Sequence, residues 1–389
     1  MQIIAPALGL ALALSGCAGT QQGVPKDTGI LSPPDVSVAA GLHGAIESTN
    51  GNALAAYSTG SNEVAVVPGG PIDGRVYFEL LDDRYVTTAM TSDHLTVNVS
   101  VSPIEDPTLP GWRTYQYFYA GMVDQPTLGL GYVNTILVQR NAGQGIFVED
   151  TGALLGGGTL STTVIPMAGD KGYAAHHGDG IGDRNFIVSS GSGGVNYFIQ
   201  RVNGDRSVEQ TAVAVNHALA YTIRNGPYSL VSPVTPDPQD VLIARGAHHL
   251  YIVSTVGMNG GLCQRVVDLY DLQSSPFTLT NQGGTTFCLA GSDVYYGSLG
   301  QTWSGDVYLA ANCSGPSLPI SLCWAHWSGP QAAVQQVGIK KQGTSYLNDR
   351  IGDYTGTTIA WYTNGAELLI GGQVQMGQPY WQTWLDQIP

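Results

Sequence analysis

The chain has 389 residues, enough for one large all-β domain or two ordinary domains. Its 52 glycines and its low share of charged residues, 11%, suit short strands and tight turns rather than long helices. The formal net charge of −14 argues against nucleic acid or an anionic membrane surface as an electrostatic partner, and it fits a soluble exported protein.

Residues 1–16 form an apolar segment that is too short to span a bilayer and has the length of a signal-peptide h-region. Leu14-Ser15-Gly16-Cys17 resembles a bacterial lipobox, in which Cys17 becomes the lipidated first residue of the mature chain. The n-region lacks Lys and Arg, so an ordinary secretory signal is the alternative. The residue after the cysteine is Ala18 rather than Asp, and in this the sequence resembles lipoproteins of the outer membrane. We therefore expect a lipid anchor in the bacterial outer membrane or at the cell surface, with secretion as the alternative.

Residues 17–35 follow the signal as a polar, proline-containing stretch typical of a flexible tether. The other four cysteines suggest two disulfides in an oxidising compartment: Cys263, Cys288, Cys313 and Cys323. Three connectivities are open, and the sequential one is expected because it joins neighbouring strands. A zinc site is the rival interpretation, but it lacks a Cys-x-x-Cys pair.

From residue 36 onward, apolar strands and turn residues alternate in a loose repeat of roughly 50 to 60 residues. The clearest units begin near Asp73, Asp124, His177, Asp240, Tyr295 and Asp353, and a shorter unit covers 44–67. Blades stacked radially bury each other's faces, which a single blade cannot do. The repeat predicts an all-β, single-domain β-propeller over 36–389, with seven blades, or six if the short unit merges with the C-terminal segment.

The last forty residues contain three β-rich runs separated by turns, as expected of the final blade. Closing a propeller requires the two chain ends to meet. We expect the N-terminal run 36–39 and the C-terminal run 381–388 to pair and close the ring.

Four motifs follow one order along the chain. They are Asp73-Gly74-Arg75-Val76-Tyr77-Phe78, Asp124-Gln125-Pro126-Thr127-Leu128-Gly129, Arg350-Ile351-Gly352-Asp353-Tyr354-Thr355-Gly356 and Trp381-Gln382-Thr383-Trp384-Leu385. In this order they resemble an uncharacterised family of bacterial secreted β-propeller proteins that is distantly sialidase-like in architecture. The resemblance covers about 40–389 and departs from the family pattern at Gly74, Gln125 and Ile351. It implies a propeller fold and no particular activity.

Blade-opening segments converge at the mouth of the axial channel, where ligands are expected to bind. The candidate ligand-binding residues there are Asp124, Asp240, Tyr295, Arg350, Asp353 and Tyr354. Carboxylates from several blades could hold Ca²⁺, which takes six to eight oxygen ligands. The alternative is that each Asp caps a turn. No other cofactor is expected.

A dense polar stretch, His176-His177-Gly178-Asp179-Gly180-Ile181-Gly182-Asp183, offers a weaker metal site through Asp179 and Asp183. Its spacing does not match an EF-hand, so an exposed glycine-rich loop is the alternative.

The function favoured by the sequence is a non-catalytic binding or scaffold module for a protein or glycan, with no catalytic residues assigned. The alternative is a sialidase-like hydrolase or lyase that uses the axial pocket. That activity needs an arginine cluster in one pocket, a tyrosine nucleophile and acidic partners. From the order of the repeats we expect Arg84, Arg113, Arg245 and Arg350 to fall in different blades. The sequence also lacks a nucleophile elbow, a zinc-protease motif and a phosphate loop.

Overall fold

The structure is a computed structural model, and its described residues cover most of the chain from residue 35 onward together with a short N-terminal stretch. They are residues 21–25, 35–42, 44–49, 53–58, 65–66, 72–80, 82–103, 106–141, 145–177, 184–191, 196–215, 223–226, 228–230, 237–244, 246, 248–258, 260–302, 304–328, 333–346, 355–359, 368–377 and 380–388. Cys17, Asp179, Asp183, Arg350, Asp353 and Tyr354 lie outside them.

The described chain is all-β apart from one short helix. Sheet I contains β2 (Ser37–Ala40), β3 (Gly44–Thr49), β4 (Ala53–Ser58) and β5 (Ala65–Val66). Sheet II contains β6 (Ile72–Glu79), β7 (Arg84–Met90), β8 (Thr96–Val101) and β9 (Arg113–Phe118). Sheet III contains β10 (Thr127–Leu130), β11 (Asn134–Val138), β12 (Gly145–Asp150) and β13 (Thr163–Pro166), and helix α1 (Thr151–Gly156) lies between its last two strands.

The next three sheets continue the same order. Sheet IV contains β14 (Lys171–Ala174), β16 (Asn185–Ser190), β17 (Asn196–Val202) and β18 (Val208–Ala214). Sheet V contains β15 (His176–His177), β21 (Asp240–Ile243), β22 (His249–Met258), β23 (Gly261–Tyr270) and β24 (Thr280–Phe287). Sheet VI contains β25 (Asp293–Gln301), β26 (Val307–Gly315), β27 (Leu318–Trp327) and β28 (Gln336–Lys341).

Two further groups of strands complete the described part of the chain. A hairpin of β19 (Ile223–Asn225) and β20 (Tyr228–Leu230) is inserted between sheets IV and V. The terminal sheet has the order β1 (Gln21–Pro25), β31 (Tyr380–Ile388), β30 (Leu368–Gly377) and β29 (Gly356–Ile359). β1 thus falls within the segment predicted as a tether.

Sheets I to VI are propeller-like and stand in a ring, with the innermost strand of each sheet turned toward a common axis. Burial follows this arrangement. Every residue of the inner strands β10 and β25 is buried, while the outer strands β9 and β18 alternate between half-buried or buried and exposed positions. Inner strands are covered on both faces by neighbouring sheets, which explains their long apolar runs.

Hydrophobic clusters fill the space between consecutive sheets. Between sheets IV and V, Phe186 and Tyr197 pack with Ile252; between sheets V and VI, Tyr251 packs with Trp327. Each fully buried large side chain contributes about 1.5 to 3 kcal/mol relative to an exposed one. The ring is therefore held by many inter-sheet contacts rather than by one central core.

Both predicted disulfides are confirmed. Cys263 in β23 pairs with Cys288, just after the neighbouring β24, and the two Cα atoms are 4.7 Å apart. Cys313 in β26 pairs with Cys323 in β27, with a Cα separation of 6.0 Å. Each closes a loop within one sheet and is expected to contribute roughly 3 kcal/mol.

The predicted pairing of 36–39 with 381–388 is not formed. Ser37–Ala40 pairs with β3, and Tyr380–Ile388 pairs with β30 and with Gln21–Pro25. β2 is the innermost strand of sheet I, so its second edge faces the axis and cannot accept an outer strand. Among the described residues, no helix is long and apolar enough to cross a membrane.

One predicted blade start is also shifted. The unit expected near His177 begins with β14 at Lys171, and His176–His177 instead pair in parallel with β21 of sheet V. The short segment Lys171–Ala174 has little strand character in sequence, because it contains a lysine and a glycine.

Candidate functional site

The inner strands surround a cavity of about 100 Å³ at the axis. Its lining comes from β2, β6, β10, β14, β15, β21 and β25, together with residues 355–358 in and beside β29. The titratable lining residues among those described are Arg75, Tyr77, Tyr173, His176, His177 and Asp240. The axial cavity therefore brings ionisable side chains from several sheets together.

A repeated backbone feature positions several lining residues. Asp73, Gln125 and Tyr296 have φ angles of 48°, 43° and 55°, in the left-handed region that non-glycine residues rarely adopt. Two residues after each of them, Arg75, Thr127 and Ser298 line the cavity. The register of β6 and β25 shifts at these points. Such bulges redirect side chains, here toward the axis.

Asp240 is the most densely bonded group in the cavity. Its Oδ1 accepts a hydrogen bond from its neighbour Val241 N at 2.9 Å. Its Oδ2 accepts from Leu299 N at 2.7 Å and from Ser298 Oγ at 3.0 Å. The Nε2 atom of His176 lies 3.1 Å from Oδ1 and 3.2 Å from Oδ2. The carboxylate thus ties two strands of sheet V to the inner strand of sheet VI.

These contacts decide the ionisation of Asp240. Burial by itself raises the pKa of this carboxyl, but His176, Arg75 and the Leu299 amide outweigh burial and lower the pKa to about 2. Asp240 is therefore ionised at neutral pH, with its oxygens occupied by donors from the protein.

Arg75 supplies the positive charge of the cavity. Its side chain is 8% exposed, and its guanidinium carbon lies 5.5 Å from the centre of the Tyr173 ring. Burial raises the pKa of Tyr77 to about 12, although the charge of Arg75 opposes that shift. Tyr77 therefore remains protonated, and its hydroxyl oxygen accepts a hydrogen bond from Leu128 N at 3.0 Å.

His177 is the second histidine of the inner pair and has a different environment from His176. Burial, followed by the neighbouring His176, lowers the pKa of His177 to about 3. A weak interaction with the backbone of Arg184 opposes this shift without reaching hydrogen-bond geometry. Both ring nitrogens are buried and make no hydrogen bond with any described residue. His177 is therefore neutral at physiological pH.

A second polar cluster lies next to the cavity, where sheets III, IV and V meet. Tyr173 donates to Gln125 Oε1 at 2.5 Å, and Arg140 donates to the same oxygen at 2.9 Å. Asp237 accepts from Lys171 Nζ at 2.9 Å and lies 3.3 Å from Arg140 Nη2. Burial disfavours the Arg140 charge, but Tyr173 and Asp237 outweigh it and raise the arginine pKa. Every charge named here has a partner in a neighbouring sheet, so this cluster is a structural clamp.

The candidate ligand-binding residues are not all brought together. Asp240 lines the cavity, and Asp124 lies beside the clamp, where its carbonyl accepts from Arg140 N at 2.8 Å. Tyr295 is fully buried away from the cavity, and its hydroxyl donates to Ser314 Oγ at 3.1 Å. The other three candidates, Arg350, Asp353 and Tyr354, lie outside the described residues.

Two of the four arginines considered for catalysis, Arg84 and Arg113, lie among the described residues. Arg84 donates to the carbonyl of Ser102, and Arg113 donates to the carbonyl of Leu155. Both strands that carry them belong to sheet II, so the expectation of different blades is wrong for this pair, and neither arginine lines the cavity. The described residues contain no group of three or more His, Cys, Asp or Glu side chains arranged to hold a metal. Asp179 and Asp183 are not among them.

Sequence reasoning missed Arg75, Tyr77, Tyr173 and the role of His176. Arg75 and Tyr77 stand inside a recognised blade-opening motif, two residues apart on one face of β6. That spacing could have indicated two inward-facing polar side chains. Nothing local could have paired His176 with Asp240, because the two are 64 residues apart.

Comparisons with known proteins add little. No family model and no curated protein matches the chain, so the family resemblance seen in the sequence stays a prediction. Among solved structures, a quinonprotein alcohol dehydrogenase-like protein from Bacteroides thetaiotaomicron is similar, with 13% identity and a TM-score of 0.48. The match covers 81% of this chain and 68% of the other. No statement about activity or cofactor follows from a similarity at this level.

Proposed function

We propose that the chain is a non-catalytic propeller that binds a protein or glycan, held at the bacterial outer membrane or cell surface by a lipid on Cys17. One observation about the axial cavity carries the proposal. Asp240 is the one carboxylate among the described lining residues, and protein donors already occupy both of its oxygens. Glycosidases of the usual two-carboxylate type need a second acid nearby.

The size of the cavity supports the same conclusion. About 100 Å³ is well below the roughly 300 to 1,000 Å³ of typical small-molecule pockets. A sugar ring or a peptide would therefore have to bind outside the cavity, on the surface. Binding at a surface needs no buried catalytic machinery.

The face at which the inner strands begin offers such a surface. Leu95, Phe118 and Met122 are 45%, 69% and 66% exposed. They are neighbours, because Thr96 pairs with Phe118 and Tyr119 N donates to the carbonyl of Leu95. They lie on the same face as the start of β10. Contiguous exposed apolar side chains occur at interaction sites more often than on the rest of a protein surface.

We also propose that the terminal sheet is a seventh blade and that β1 closes the ring by pairing with β31. Thr357 in β29 donates to the carbonyl of Ser298 in sheet VI at 3.1 Å. On the other side, Val38 of sheet I packs with Leu369 and Leu385 of the terminal sheet. These contacts support a position for the terminal sheet between sheets VI and I.

Binding without turnover is the expected result when the purified chain is offered a panel of glycans and solubilised cell-envelope proteins. A Phe118→Ser variant should weaken binding about tenfold or more, because anchors of this kind commonly contribute over 1 kcal/mol. Tyr132→Ser is the matched control, since Tyr132 is 52% exposed at the opposite end of β10. Affinity and released sugar are measured in parallel.

Release of sugar in proportion to the amount of chain would overturn the non-catalytic proposal. The sialidase-like alternative would then be tested with Arg350→Gln and Asp353→Asn. Loss of turnover in a variant that still unfolds cooperatively would identify a catalytic role, while loss of the fold would identify a structural one. Equal weakening by Phe118→Ser and Tyr132→Ser would remove the apolar surface from the proposal.

Lipidation is tested separately. Cells producing the full chain are expected to incorporate a fatty-acid probe into it, and a Cys17→Ala variant should lose the label and leave the membrane fraction. A single cysteine change has this effect because a lipid supplies the membrane affinity. A Cys17→Ala chain that still partitions to membranes would contradict the anchor.

A further inference from the structure

We propose that the axial cavity is a binding site for one small anion of formate or nitrate size, held by Arg75 and by the hydroxyl groups of Tyr77 and Ser37. The site is distinct from the surface proposed above for a macromolecular partner, and it does not depend on that partner.

Positive charge is the first requirement, and Arg75 meets it. The guanidinium lines the cavity, and its side chain is 8% exposed. Its field reaches Tyr77, Tyr173 and Asp240, since its charge acts on the ionisation of all three. In a site of low dielectric constant, such a charge attracts an anion more strongly than it would in water.

Asp240 is the natural competitor for that charge, but it does not fill the cavity. Its two oxygens accept from Val241 N, Leu299 N and Ser298 Oγ, and His176 Nε2 lies against both. An ionised carboxyl has about four acceptor positions. Donors of the protein already use them, so Asp240 balances charge from the wall of the cavity.

Hydrogen-bond donors are the second requirement. Ser37 Oγ accepts from Val76 N at 3.1 Å, and Tyr77 Oη accepts from Leu128 N at 3.0 Å. A hydroxyl that accepts in this way still has its own hydrogen to donate. Among the described residues, neither hydrogen finds an acceptor, and both side chains line the cavity. Two donors from β2 and β6 are therefore available beside the cation.

His177 adds a third donor. It lines the cavity in its neutral form, which carries one N–H, and its interaction with the backbone of Arg184 falls short of hydrogen-bond geometry. A buried polar group without a partner costs free energy unless a ligand or water satisfies it. An anion would satisfy several such donors at once.

Size and surface charge narrow the class of ligand. About 100 Å³ admits an anion of a few atoms and excludes a tricarboxylate. The chain carries a formal net charge of −14, so its surface repels anions in general. Saturable anion binding therefore requires a local site of the kind built around Arg75.

Isothermal titration of the folded chain with sodium formate and with sodium nitrate tests the proposal, with sodium citrate at equal ionic strength as the size control. One saturable site is expected for formate and nitrate, with a matching rise in Tm, and none for citrate. Tyr77→Phe should weaken formate binding about tenfold, because losing one hydrogen bond to a charged group changes the dissociation constant by about that factor. Arg75→Met should abolish it.

Tyr295→Phe is the control, because it removes the hydroxyl of another interior tyrosine, one that donates to Ser314 outside the cavity. It should bind formate as the wild type does. Absence of saturable binding to the wild-type chain would overturn the proposal, and so would equal affinity in Tyr77→Phe and Tyr295→Phe or equal binding of citrate. If Arg75→Met fails to fold, the comparison of the two tyrosine variants still decides.

Discussion

Replacing Asp240 with asparagine is expected to lower the free energy of unfolding by about 3 to 5 kcal/mol, the usual cost of breaking a buried ion pair. The expected loss is large because of what faces the carboxylate. Oδ1 meets Val241 N, Oδ2 meets Leu299 N and Ser298 Oγ, and His176 lies against both oxygens. Whichever way the asparagine amide turns, its NH₂ group replaces an oxygen that accepts a backbone N–H.

The loss of charge adds to this loss of hydrogen-bond acceptors. Asp240 is buried at 6% exposure, and its negative charge balances Arg75 across the cavity. Without it, a buried guanidinium loses a compensating charge, which raises the free energy of the folded state. Solvent reaches His176, whose side chain is 25% exposed, and this relieves part of the conflict on that side only.

Chemical unfolding by urea, followed by fluorescence, measures the change. Asp170→Asn is the control, because Asp170 is exposed and its backbone N–H, rather than its carboxylate, makes the hydrogen bond to Ser190. A change within about 0.5 kcal/mol is expected there. If Asp240→Asn costs less than 1 kcal/mol, the carboxylate does not hold the inner strands together.

Much of the fold could be predicted from local sequence. Units expected near Asp73, Asp240 and Tyr295 correspond to inner strands that begin at Ile72, Asp240 and Asp293. Each of these strands contains a run of apolar residues and follows turn residues, so a short window of sequence carries the signal. The two disulfides were predictable for a similar reason, because each joins strands that are neighbours along the chain.

Features that depend on distant contacts could not be predicted. The partner of the C-terminal strand is Gln21–Pro25, a stretch whose composition is that of a tether. β14 begins at a lysine and a glycine, and the pairing of β14 with β16 decides its structure. Pairing in a ring is decided by the neighbouring sheets, which no local pattern records.

In the candidate site, too, local sequence predicts some features and distant contacts decide the others. Asp240 was predicted to face the axis because it opens a blade, and the structure places it there. Its partners, His176 and Ser298, come from segments 64 and 58 residues away. The sequence therefore indicated a polar residue at the axis. Whether that residue is free to bind a ligand or is already satisfied by the protein depends on contacts that only the three-dimensional structure supplies.

A loss of stability between pH 6 and pH 4 is expected from His177, the neutral histidine of the cavity, whose two ring nitrogens are buried. Its pKa is lowered from 6.5 to about 3 by burial and by His176. Between these two values the unfolded chain binds a proton that the folded chain does not, so the free energy of unfolding falls as the pH falls. In this interval the two states differ by at most one proton, which sets a limit of about 1.4 kcal/mol per pH unit. Solvent access to part of the His177 ring narrows the interval, so the expected average loss is about 1 kcal/mol per pH unit. The carboxyl of Asp240, with a pKa of about 2 against 3.8, contributes only below pH 4.

Measuring the free energy of unfolding at pH 7, 6, 5 and 4 tests this expectation. The wild type should lose about 2 kcal/mol more than His177→Gln across this window. The control is His248→Gln at an exposed histidine, which should keep the wild-type slope. Parallel curves for the wild type and His177→Gln would mean that the imidazole accepts a proton in the folded state, and the cavity would then be open to water at that point.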